Sequence, residues 1–187
     1  AYAALLPDAI WHHDEPLCHP HSVQLMHLSG IARQHVTVVL TGEGADEVLG
    51  GYDLFKEAKI RQFWARQPDS AWRPALLQRL YPWLELNQRT GSTYLKMFFG
   101  QALDQPDLPG FSHLPRWTTT GKTRDFFSAG FQAQLSRDPL DVLVDTLPSD
   151  FPKWHAFNRA QYLEARTLMA GYLLNSQGDR MLMANSV

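Results

Sequence analysis

The chain has 187 residues, 44% of them apolar, with 17 Lys and Arg against 19 Asp and Glu and a single cysteine, Cys18. That length suits one ordinary domain with a sizeable core, and 19% charged residues beside six Trp and ten Phe exclude a disordered composition. The near-neutral balance gives no electrostatic ground for a nucleic acid or an anionic membrane as partner, and the longest apolar stretch, residues 168–174, is too short to span a bilayer.

No basic, apolar, small-residue leader opens the sequence, and one cysteine forms no internal disulfide, so a reducing, cytoplasmic setting is expected. The chain begins at Ala1 and stops at Val187 within a pattern that reads as an unfinished helix, so a longer parent is expected.

Taken in order, Pro20 suits the first turn of a helix running to about Gln34, with Val23, Met26, His27 and Ile31 near helical spacing. The run Val36-Thr-Val-Val-Leu40 is the best strand in the chain and reads as buried on both faces. Residues 41–52, Thr-Gly-Glu-Gly-Ala-Asp-Glu-Val-Leu-Gly-Gly-Tyr, form a glycine-rich turn into a short helix. Helical patterns follow over about 53–66, 72–84, 92–102, 123–136, 138–146, 153–173 and 175–187, with Gln105–Pro115 as a surface connection. In the helix over 153–173, Trp154, Phe157, Gln161, Ala165, Leu168, Met169 and Tyr172 fall on one stripe, which predicts a core face. Helix, buried strand and glycine-rich turn make one unit of a parallel α/β sheet, and the remaining two thirds are expected to be helical.

Charge is unevenly spread. Residues 1–55 carry seven carboxylates against Arg33 alone, whereas 56–89 carry seven cations against three carboxylates. The basic series from Lys56 to Arg89 is expected on solvated helix surface, and Glu164 as a solvated surface acid. His12, His13, Cys18, His19 and His21 cluster locally but match no structural zinc pattern, so a polar loop ahead of the helix is expected.

The segment 41–52 carries the chemistry. Gly42, Gly44, Gly50 and Gly51 fall in ten residues, interleaved with Glu43, Asp46 and Glu47. At the carboxyl end of a buried parallel strand, glycines let the backbone approach a ligand. Three carboxylates there repel phosphate unless a cation intervenes, and Mg²⁺ takes one or two protein carboxylates while sharing the nucleotide's oxygens. One reading is thus the nucleotide and Mg²⁺ edge of a site. The other is a capped turn whose acids complement a helix dipole. Spacing alone leaves both open.

The same segment closely resembles the second signature of the synthetase domain of glutamine-dependent asparagine synthetases, usually Ser-Gly-Glu-Gly-Ala-Asp-Glu-Leu-Phe-Gly-Gly-Tyr. Upstream, Asp14-Glu15-Pro16 resembles the family's Asp-Glu-Pro, and Asp179-Arg-Met-Leu-Met-Ala-Asn-Ser186 is similar to its Asp-Arg-Met-Ser-Met-Ala-Asn-Ser helix. The three lie in the family's order and cover residues 12–187. The resemblance implies an adenine-nucleotide hydrolase-like α/β fold with a helical C-terminal region, residues 1–52 being the α/β nucleotide-site portion and 53–187 the mainly helical one. It implies conversion of aspartate and MgATP into β-aspartyl-AMP and pyrophosphate, then displacement of AMP by ammonia from a glutaminase domain of the same protein. Carried over by position, Thr41, Gly42 and Gly44 contact the nucleotide and Asp46 binds Mg²⁺. Glu43 faces the acyl-adenylate and the incoming amine, while Glu47, Asp14, Glu15, Asp179 and Arg180 line the site. A homodimer is the expected assembly of the complete protein.

Thr41 stands for the usual Ser and keeps the hydroxyl, whereas Leu182 replaces a Ser and loses one. The family's Ser-Gly-Gly-x-Asp-Ser pyrophosphate loop does not occur in this sequence, nor does the nucleophilic cysteine of the glutaminase half. The 187-residue chain by itself is therefore expected to make no asparagine and to bind ATP weakly; micromolar ATP affinity overturns that. Two other readings compete: a related adenylating synthetase forming another amide or a β-lactam, and a non-catalytic interaction domain of the same fold.

Overall fold

The computed structural model describes residues 2–14, 19–82 and 89–187. Eleven α-helices occur among them: α1 Tyr2–His13, α2 His21–Ala32, α3 Ala45–Leu49, α4 Asp53–Ala65, α5 Ala75–Leu80, α6 Arg89–Phe99, α7 Leu114–Gly121, α8 Ala129–Gln132, α9 Pro139–Asp145, α10 Ala156–Glu164 and α11 Arg180–Met183. Two 3₁₀ turns, Lys122–Phe126 and Phe151–Lys153, and a π-helix, Ala165–Asp179, complete the set.

Local chemistry accounts for several ends. Pro20 stands at the N-cap of α2, and Pro115 and Pro139 fall in the first turns of α7 and α9, where a missing N–H costs nothing. Asp138 caps α9 by accepting the Leu140 N–H at 2.8 Å. Pro7 lies inside α1 and forfeits one intrahelical bond, so a reading that treats Pro as a breaker misses this helix.

No strand occurs among the described residues, so the structure does not confirm the expected α/β unit, although it is mostly helical as expected. Val36–Leu40 forms no regular element and faces solvent, with Val38 at 72% and Leu40 at 96% exposure. A strand exists only as a partner in a ladder, and a parallel partner arrives only after a crossover of about a dozen residues or more. None is offered among the described residues.

The chain divides into two compact units, Ala1–Gly51 with Tyr162–Val187, and Tyr52–Gln161. In the first, α1, α2 and α11 pack around buried Ala9, Val23 and Met181, with Leu5, Leu6, Leu25 and Met26 against them. A polar clasp fixes α2 to α11. Ser29 Oγ lies 2.9 Å from the carbonyl oxygens of both Met26 and Met181, so its one proton serves one of the two at a time. Asn185 Nδ2 donates to Ser29 Oγ at 2.8 Å and to the Met26 carbonyl at 3.0 Å. The final helix is short, because Ala184 caps α11 and Ser186 turns the backbone to φ 57°.

The π-helix replaces the second half of the expected 153–173 helix. Within it, the Thr167 hydroxyl donates to the Leu163 carbonyl and the Ser176 hydroxyl to that of Tyr172, both at 2.7 Å and both four residues back. These hydroxyls compete for the carbonyls an α-helix needs, which favours a wider i→i+5 turn. The predicted stripe is correspondingly displaced. The buried side chains are Arg159, Ala160, Leu163 and Glu164, whereas Phe157 is exposed. Glu164 is thus not a surface acid.

The second unit is built on Trp64, Leu77, Leu95, Phe99, Leu103 and Phe111. The expected surface connection is exposed at Gln105, Asp107 and Leu108 but then runs inward: Gly110, Phe111, Ser112, His113 and Pro115 are all buried. The reason is Arg61, which is not on solvated surface but fully enclosed, at 0% exposure. Its guanidinium donates to the carbonyls of Phe99 (2.9 Å), Gln101 (2.6 Å) and Phe111, and lies 4.1 Å over the Phe111 ring. Burial pulls the guanidinium down to about 10, with the Glu57 carboxylate opposing, so it remains a cation at neutral pH. Buried Glu57 accepts from both guanidinium nitrogens of Arg116 and from the Tyr81 hydroxyl. Burial, then that hydrogen bond, pushes the Tyr81 phenol above its ordinary value.

Candidate functional site

The glycine-rich turn belongs to the first unit and leads into α3, whose N-cap is Gly44. Gly44 adopts φ 89°, a left-handed conformation that costs any other residue, and it is buried. A Cβ there would meet the Met169 sulfur at 2.8 Å, so the π-helix closes directly over the turn. Gly51 closes the other end. Its N–H donates to the Asp46 carbonyl at 2.9 Å, and the Asp46 carboxylate packs against its bare Cα.

This double fastening presents some predicted residues and hides Gly44, expected at the nucleotide, and Glu47. Thr41, Gly42, Glu43 and Asp46 face solvent, and a Cβ built at Gly42 would meet nothing within 4 Å. Glu47 points inward, at 1% exposure. Among the predicted site-lining residues, Asp14 and Arg180 come together: Arg180 Nη1 lies 3.3 Å from Asp14 Oδ2 across 166 residues of sequence. Asp14 holds a left-handed φ of 57° at the end of α1. Asp179 is exposed, and Glu15 and Cys18 lie outside the described residues. His13 is buried, and the His19 and His21 rings approach to 4.5 Å. No group of three or more metal-ligating side chains occurs among the described residues.

Two residues unmarked by the sequence reading support this arrangement. Asn175 Oδ1 accepts from Arg180 Nε at 3.0 Å, which aims the guanidinium at Asp14. Asn185 secures α11, the element that carries Arg180. A five-residue separation such as Asn175 to Arg180 brings side chains together only where the turn is wider than 3.6 residues, so an α-helical periodicity does not flag it.

An acidic, open turn under a π-helix is compatible with many proteins. What decides the family is that the sequence pattern of the Asparagine synthase family matches residues 1–187. The chain belongs to the asparagine synthase family. It is 30% identical over 197 residues to asparagine synthetase [glutamine-hydrolyzing] 1 of Bacillus subtilis (strain 168), an alignment covering all of this chain and 27% of that relative. It is likewise 30% identical over 201 residues to a putative asparagine synthetase of Mycobacterium tuberculosis (strain H37Rv), covering 26% of it. A weaker likeness, 24% over 196 residues and 28% of the relative, links it to amidase chyE of Penicillium rubens. The chain thus spans about a quarter of the length of the curated relatives it matches. No solved structure gives a significant match. Among the described residues, no helix of this asparagine synthase family member is long and apolar enough to cross a membrane.

Proposed function

We propose that this chain supplies the nucleotide edge of an ATP-dependent ligase that activates the side-chain carboxylate of aspartate as β-aspartyl-AMP and yields asparagine, AMP and pyrophosphate. Ammonia comes from glutamine through a glutaminase domain of the same protein. Val36–Leu40 enters a parallel sheet completed by the rest of that protein, and residues 1–52 form its nucleotide-site portion. The observation that carries the reading is the solvent-facing set Thr41, Gly42, Glu43 and Asp46, in a chain matched by this family along its whole length.

The residues present fit the groups invoked. Open space at Gly42 lets a phosphate approach the backbone, and the Thr41 hydroxyl can donate to it. Asp46 and Glu43 offer hard oxygen donors, the kind Mg²⁺ takes while keeping several waters. Bound there, Mg²⁺ would supply neutralisation of phosphate charge. Asp46, braced on Gly51, would hold the cation. Glu43, three residues earlier in the chain, accepts the proton that the attacking amine releases. Arg180 holds the Asp14 carboxylate through their ion pair.

Pyrophosphate exchange into ATP tests this reading on the intact protein. Exchange is expected to require aspartate and Mg²⁺, and to fall about a hundredfold in D46N. E43Q is expected to keep exchange while slowing asparagine formation about a hundredfold. Exchange driven by a different acid would reassign the chain to a related adenylating synthetase forming another amide or a β-lactam. No exchange with any acid would leave a non-catalytic interaction domain.

A further inference from the structure

We propose that the cleft between the end of α4 and α5, in the second unit, binds a small planar aromatic anion: an aryl ring bearing a carboxylate or a phosphate. The cleft measures about 460 Å³, within the range of small-ligand pockets and too small for a folded partner's surface. Phe63, Gln67, Ser70, Trp72, Arg73 and Arg79 line it, and no carboxylate stands among its described lining residues.

Its walls are preorganised. Trp64 Nε1 donates to the Pro68 carbonyl at 2.9 Å, and the amides of Gln67 and Ser70 close successive turns onto Trp64 and Gln67. Arg73 is pinned on both sides. Its guanidinium donates to the Phe63 carbonyl and lies 4.2 Å over the Phe63 ring, while its amide donates to Ser70 Oγ at 3.2 Å. The single bond to the Phe63 carbonyl leaves most of the five N–H donors of that fork for a ligand.

Arg79 has no ion pair or side-chain hydrogen bond among the described residues, and it faces the same space. Trp72, which lines the same cleft, leaves 71% of its surface to solvent. Two guanidinium groups and an exposed indole lining one cleft match an anion joined to a ring: the anion takes the forked donors, the ring covers the indole. A neutral ring or a bare anion satisfies only half of this lining. The assignment does not rest on the activity proposed above.

Calorimetric titration of the intact protein with phenyl phosphate and with indole-3-carboxylate tests it, and the two probes distinguish phosphate from carboxylate ligands. At least one is expected to bind saturably, at least about tenfold more tightly than inorganic phosphate or neutral indole. W72A and R79A alter exposed side chains, so both should retain the wild-type circular dichroism spectrum, and each is expected to weaken binding about tenfold. Undiminished binding in both variants would overturn the site. So would inorganic phosphate binding as tightly as phenyl phosphate, or no binding of either aryl anion up to about 10 mM.

Discussion

Glu57 joins the buried charges of the second unit. It compensates Arg116, receives the Tyr81 hydroxyl and offsets the charge of buried Arg61. Removing one member of a buried ionic cluster strands the others, which costs more than the pair contributes when intact. Arg116 keeps part of its side chain in water, which reduces the loss. E57Q is therefore expected to lower unfolding stability by about 2–4 kcal/mol in urea titration, against about 1 kcal/mol for Y81F. Tyr81 adds a pH signature. Its folded pKa lies above the ordinary phenol value near 10, so above that pH the unfolded chain releases a proton that the native one keeps. The stability contributed by Tyr81 is full below about pH 10 and declines as pH rises past it. In a spectrophotometric titration of the native protein, one tyrosine should ionise after the rest, and Y81F should remove that late step.

At the scale of elements, the turn 41–52 is fastened by Gly44 and Gly51, and Gly44 is the sharper test. Alanine there meets two penalties, a φ of 89° and the Met169 sulfur. A thioether at the end of a flexible chain moves cheaply, so backbone strain should dominate. G44A is expected to cost about 1–3 kcal/mol by chemical denaturation, and adding M169A should recover only a minor part. If the double variant regained full stability, steric contact and not backbone conformation would be the constraint. Elements of this kind were legible in the sequence where their cause is local. Asp138-Pro139 announces α9, Pro20 announces α2, and the glycines announce the bend before α3. The burial of Arg61 was not legible, because its carbonyl partners lie 38 to 50 residues downstream and a basic run on a helix looks the same whether wet or enclosed. The π-helix was hidden because Thr167 and Ser176 act through backbone carbonyls and leave the hydrophobic pattern α-like. At the candidate site, Thr41, Glu43 and Asp46 could be named from the motif, while the Asn175–Arg180–Asp14 chain depends on that wider turn.

For the whole molecule, the question is where Val36–Leu40 belongs. Beyond the Val36 amide, which bonds to the Ala32 carbonyl, residues 37–41 donate no backbone hydrogen bond to another described residue. If the proposed parallel sheet forms in the complete protein, those amides acquire partners. Hydrogen exchange read by mass spectrometry should then show residues 37–40 exchanging within seconds in the 187-residue chain and protected by several orders of magnitude in the complete protein. Equal, rapid exchange in both would remove the α/β assignment and detach the turn from any sheet edge.

That bare ribbon has a further consequence. Val36-Thr-Val-Val-Leu40 contains neither a charge nor a proline, and a segment of that kind laid open to water is a template for other copies of itself. Separated from its neighbours, the chain should grow fibrils that seed further fibrils, so the hydrophobicity suited to a sheet interior becomes a route to amyloid whenever that interior is missing.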